Sequence, residues 1–133
     1  VTGLDANVLV RYITQDHADQ AAVANRAIEG ADDRGEKLLI QPLVLCETVW
    51  VLSRAYRLPR DEVLEVVEGI LRTAQFEIVD KDALWKALGD AQCGSGDFAG
   101  HYIGRANEAA GADTTLTFDK ALRGSPHFRM LAV

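Results

Sequence analysis

Cysteine is scarce in this chain of 133 residues: Cys46 and Cys93 are the only two. Two cysteines are too few for a disulfide framework and fit a reducing compartment, which makes the cytoplasm the expected location. Proline is equally rare, at three residues, and the eleven glycines are scattered singly. That excludes repeats, low-complexity tracts and flexible linkers, so residues 1–133 are expected to form one domain. No apolar run approaches the ~20 residues that a membrane span needs, and no basic-then-apolar leader opens the sequence. Basic charge is also in short supply, with 14 Lys and Arg against 20 Asp and Glu, a net charge of −6. A wholly basic nucleic-acid-binding surface is thereby excluded. A phosphate-handling enzyme is not, because a metal site itself needs carboxylates.

What is present is a short alternation of strands and helices. Strands are expected at Val1–Leu4, Leu38–Ile40, Phe76–Val79, Thr114–Thr117 and Phe128–Leu131. Between them fall helices at Ala6–Ile13, Ala18–Ile28 with Gly30 as a stop, Leu43–Arg57 entered through Pro42, and one beginning at Pro59. In that last helix Val63, Leu64, Val67, Ile70 and Leu71 recur at helical spacing. Further helices run from Lys81 to Ala91, with Asp80 as cap, and from Asp97 to Ala110. A turn of helix follows Asp119. The pattern predicts an α/β fold with a short, mostly parallel central sheet and helices on both faces. Ligands in such sheets gather at the carboxyl ends of the strands.

Two acids stand at that position, Asp5 after the first strand and Asp119 after the fourth. Glu47 interrupts the apolar run Leu43–Leu52, a helix expected to be largely buried, where a carboxylate needs a cation or hydrogen bonds. The plainer readings are a solvent-facing strip or a pairing with Arg11 or Arg54. Asp97 opens a helix and, taken alone, reads first as an N-cap, a role also open to Asp5 and Asp119. The convergence of all four argues for one crevice built around a hard cation such as Mg²⁺ or Mn²⁺. The three histidines, at positions 17, 101 and 127, lie far apart, and Cys46 reads as a core residue. No nucleophile motif or phosphate-cradling glycine loop is present.

Leu4-Asp5-Ala6-Asn7-Val8-Leu9-Val10-Arg11-Tyr12, Cys46-Glu47-Thr48-Val49-Trp50-Val51-Leu52, Gly96-Asp97-Phe98 and Thr115-Leu116-Thr117-Phe118-Asp119 together resemble the PIN-domain family. Their order and spacing are most similar to the VapC toxins of bacterial toxin–antitoxin pairs. The resemblance implies a PIN-like three-layer α/β fold and a Mg²⁺- or Mn²⁺-dependent endoribonuclease acting through a metal-activated water. It also implies inhibition by a VapB-type antitoxin and commonly a homodimer. By the same resemblance Asp5, Asp97 and Asp119 are metal-site acids and Glu47 a further catalytic acid. Asn7 and Thr117 support the site. The chain departs from the family where Asp97-Phe98-Ala99-Gly100 replaces a run that usually ends in Asp. Gly100 therefore opens a second reading, a catalytically weakened PIN domain that binds RNA or an antitoxin. A third reading is a metal-dependent DNA nuclease.

RNA phosphates are expected to meet Arg105, Lys120 and Arg123, with His101 at the rim of the crevice. The segment Lys120–Val133 carries Lys120, Arg123 and Arg129 and no acid. Trp50, Tyr56 and Leu58 are candidates for a partner surface, with the core as the preferred place for Trp50.

Overall fold

Five short strands, every pair of them parallel, and six α-helices make up the computed structural model, which describes residues 1–133. The chain divides into two compact units, Val1–Val79 and Asp80–Val133.

In the first unit β1 (Thr2–Gly3), β2 (Leu38–Ile40) and β3 (Phe76–Ile78) form a sheet in the order β1-β2-β3. Each crossover is helical, through α1 (Ala6–Thr14) and α2 (Ala18–Asp33), then α3 (Pro42–Arg54) and α4 (Arg60–Arg72). This is the connection that parallel strands require. Leu38 and Ile40 are buried, and helix positions such as Leu9, Ile28, Leu45, Leu52, Val67 and Leu71 close over them as the core. The stripe Val63, Leu64, Val67, Ile70, Leu71 of α4 is buried as its spacing predicts. Asp61 and Glu62 in its first turn and Arg72 in its last suit the helix dipole.

In the second unit α5 (Lys81–Cys93) and α6 (Phe98–Ala109) pack against each other. They are followed by β4 (Thr115–Thr117), a 3-10 turn (Lys120–Leu122) and β5 (Phe128–Met130). Strands β4 and β5 pair with each other in the register Thr115–Phe128, Leu116–Arg129, Thr117–Met130. The α/β class with short parallel strands is as expected, but hydrogen bonding divides the strands into groups of three and two rather than one central sheet. With two or three residues per strand, each ladder carries only a few bonds.

Several boundaries differ from expectation for identifiable reasons. Helix α2 runs through Gly30 to Asp33, since one glycine costs a helix only about 1 kcal/mol and Ala31 is buried beyond it. Helix α3 stops at Arg54, three residues early, and Arg57 then adopts a left-handed φ of 53°. Asp80 precedes α5 but does not cap it: its φ is 58°, and its carboxylate accepts instead from the Tyr102 hydroxyl at 2.7 Å.

Candidate active site

In the first unit Asp5 stands two residues past the end of β1 and serves as N-cap of α1, one carboxylate oxygen accepting from the Ala6 N–H at 2.8 Å. The cap reading and the site reading are thus compatible, because the second oxygen is left over. Asn7 lies two residues further, in the first turn of the same helix, and is exposed. Glu47 sits on α3, which packs on α1.

The placement of Glu47 corrects the expectation of burial. Helix α3 turns only Leu45, Thr48 and Leu52 fully inward, a stripe spaced i, i+3, i+7. Thr48 is tolerated there because its hydroxyl donates to the Val44 carbonyl at 2.8 Å. Glu47 falls on the opposite, exposed strip with Leu43, Trp50 and Arg54. Neither arginine considered for it is its partner. Arg11 is bound to Asp16, Gln20 and Tyr56, and the Arg54 guanidinium lies 5.5 Å from the Trp50 ring centroid. Trp50 is 58% exposed, so the preference for a core position does not hold. Tyr56 donates to Asp16 at 2.6 Å.

In the second unit the two remaining acids open neighbouring segments. Asp119 precedes the 3-10 turn and accepts from the Ala121 N–H at 3.0 Å. Its own N–H donates to the Thr117 hydroxyl at 3.0 Å, so Thr117 fixes the turn that carries the acid. Asp97 holds the N-cap position of α6 yet makes no capping hydrogen bond with its side chain. The two segments are tied together: the Ser95 hydroxyl donates to the Ala121 carbonyl at 2.8 Å. Gly96, with φ +102°, lets the loop pass so close to Leu122 that a Cβ would stand 2.7 Å from its side chain. At Gly100, by contrast, a Cβ would meet Leu122 at 3.5 Å, an ordinary van der Waals contact. The position has room for the β-carbon of a larger residue.

All four acids are exposed and none is in an ion pair. Their donor chemistry, carboxylate oxygens without a protein cation, fits a hard divalent ion. Each unit carries two of them, and no group of three or more His, Cys, Asp or Glu side chains is drawn together in a metal-holding cluster. Cysteine chemistry offers no rival. Both cysteines are free thiols, and burial pushes the Cys46 thiol up to about 11, far from a reactive thiolate.

The basic residues separate into two kinds. Arg105 is held by Asp90 through two hydrogen bonds, of 2.7 and 2.9 Å, and lies 3.9 Å from Glu108, so it is no free cation. Nothing local in the sequence marks Asp90 as its partner fifteen residues away. Lys120 and Arg123 are exposed and enter no ion pair. His101 is not at a rim: it is 3% exposed, with Nε2 against the Ser95 carbonyl at 2.7 Å and Nδ1 buried without a partner. No helix is long and apolar enough to cross a membrane.

Comparison with known proteins identifies the family of the chain. The PIN domain family model matches residues 4–123, a span reaching from the residue before Asp5 to the turn after Asp119. A VapC ribonuclease of Aquifex aeolicus (strain VF5) is 28% identical over 85 residues, covering 64% of this chain and 62% of that relative. With strand-end and helix-start carboxylates on short parallel strands, and a match over nearly the whole length, the chain belongs to the PIN domain family.

Proposed function

We propose that the chain is a divalent-cation-dependent endoribonuclease, the toxin of a toxin–antitoxin pair working in the cytoplasm. The observation that carries this reading is the set Asp5, Glu47, Asp97 and Asp119, four exposed carboxylates that no basic side chain neutralises, on a PIN domain. The family match spans both units, which supports treating residues 1–133 as one domain. Asp5, Asp97 and Asp119 would hold Mg²⁺ or Mn²⁺, with Glu47 as the further acid. When bound, the cation neutralises charge on the phosphate and makes a water nucleophilic at neutral pH. Asp5 and Asp119 are presented in fixed orientations, since each has one oxygen on a backbone N–H. Thr117 holds the Asp119 turn, and Asn7 stands beside the Asp5 segment. Lys120 and Arg123 contact substrate phosphates, while Arg105, bound to Asp90, is left out of that set.

A VapB-type antitoxin is the expected partner, along with a second copy of the chain. An apolar groove of about 450 Å³ between α1 and α2 suits the apolar face of a partner helix. Val8, Val23, Ala24 and Ala27 line it, with Asn7 and Arg11 at its edge.

The test is cleavage of matched RNA and DNA with Mg²⁺ and with EDTA. The chain cuts RNA only, Mg²⁺ is required, and Asp5→Asn abolishes the activity. Asparagine caps helices as well as aspartate, so the fold is kept. Undiminished cleavage by Asp5→Asn would sink the assignment. The second reading, a weakened domain acting by binding, is favoured by Gly100. Activity that appears only in Gly100→Asp would select it.

A further inference from the structure

The outer face of the β4–β5 ribbon is unusual for a surface of an acidic protein. Alternation along β4 turns Leu116 outward between half-buried Thr115 and Thr117, and Phe118 continues the outward row. On β5 Arg129 is opposite Leu116, and the Leu131 N–H donates to the Thr117 carbonyl at 2.9 Å, extending the pairing. Leu116 is 50% exposed and Phe118 63%. Phe118, Lys120, Arg123, Met130 and Leu131 line an open cleft of about 460 Å³. Lys120, Arg123 and Arg129 are all exposed, and none forms an ion pair although the chain as a whole is at −6.

We propose that this face seats a single-stranded segment of the RNA substrate, with Phe118 as a base-stacking platform and Lys120, Arg123 and Arg129 as phosphate contacts. The inference rests on the nuclease reading above. An open aromatic face beside unpaired cations is the pairing that single strands require, because stacking tolerates any base and the cations follow the backbone. A duplex hides its base faces and gains only the cationic part. A second copy of the chain is the less favoured occupant, since a two-fold interface would press three cations against the same three. Phe118 directly precedes Asp119, so a base stacked there sets the register of the phosphate next to the acid.

Binding is measured in EDTA, without cleavage, using a labelled single-stranded RNA of mixed sequence and the same strand annealed to its complement. Phe118→Ala raises Kd for the single strand roughly tenfold, in line with the loss of one stacked base. It leaves duplex binding and the salt dependence unchanged, and Phe118→Tyr retains wild-type affinity. Arg123→Ala weakens both RNAs and lowers the slope of log K against log salt by about 0.7, one phosphate contact on a single strand. Phe118→Trp reports stacking directly, as fluorescence quenching beyond that of Trp50 and Trp85 in the wild type. Wild-type binding by Phe118→Ala overturns the proposal. So does a wild-type dimer, seen by sedimentation, that Phe118→Ala dissociates. A chain that binds single strands through Phe118 yet cuts nothing with Mg²⁺ fails the nuclease reading and keeps the platform.

Discussion

The two faces of the β4–β5 ribbon are built from the same pair of three-residue strands, yet they follow opposite rules. On the side facing α6 the packing is tight. The Phe128 ring lies so close to Gly104 that a Cβ there would be 2.7 Å from it, and His101 meets the same ring edge-on at 6.5 Å. The Thr115 hydroxyl accepts from Asn107 of α6 at 3.0 Å. The polar groups nearby are partnered: Arg105 with Asp90, and the His127 ring with Glu108 at 2.6 Å. The outward side has Leu116 and Phe118 in the open and three cations without partners. An exposed apolar surface beside unpaired cations is the kind of surface that meets a partner, and the contrast separates what holds the fold from what it offers.

The comparison breaks first at its rim. Asp119→Asn should reduce Mg²⁺-dependent cleavage by more than the ~10–100-fold that losing an outer-shell partner costs. The melting temperature should be unchanged, because asparagine keeps the bond to the Ala121 N–H. A parallel fall in melting temperature would make Asp119 a structural cap alone. Next comes the packed side. Gly104→Ala forces a methyl group into the Phe128 ring and should destabilise by about 1–3 kcal/mol, measured by urea unfolding. Leu116→Ala on the outward side should stay within about 0.5 kcal/mol of wild type. Equal effects on the two sides would erase the distinction.

Much of this was legible in the sequence, and what was not depended on contacts far along the chain. Leu38–Ile40 is a strand as written, and Pro42 opens α3 because its fixed φ and missing N–H suit a first turn. The α4 stripe needed only its spacing. Asp5 and Asp119 were marked by standing at strand ends. Glu47 and Trp50 misled because an apolar run of helix does not say which third of its circumference meets the core, and α3 buries only Leu45, Thr48 and Leu52. Arg105 looked available because Asp90, its partner, lies on a different helix, and His101 looked like a rim residue because Ser95 and Phe128 enclose it from elsewhere. Phe118 was visible inside the Thr115–Asp119 motif. Only the packing of its neighbours reveals that it is left outside.

Two smaller effects sharpen the charged half of the contrast. Arg105→Ala removes both bonds to Asp90, whose side chain is 19% exposed, and should cost about 1–2 kcal/mol. Arg123→Ala should cost nothing measurable in stability and act only on RNA affinity. The last effect is in acid. Burial pushes the Asp90 carboxyl up, and the Arg105 hydrogen bonds and charge, aided by His127 and His101, more than reverse this. Its value in the fold therefore lies below the ordinary 3.8. A carboxyl depressed in the folded state stabilises above its unfolded value and loses that contribution as pH falls through the folded one. Asp90→Asn carries no such charge in either state. The stability gap between wild type and Asp90→Asn, below about 1 kcal/mol, should be present near about pH 5 and close as pH drops below 3.8. Urea unfolding at stepped pH measures it. A gap that widens on acidification would mean that Arg105 does not hold Asp90 in solution, and the matched region would then differ from the open one only in burial.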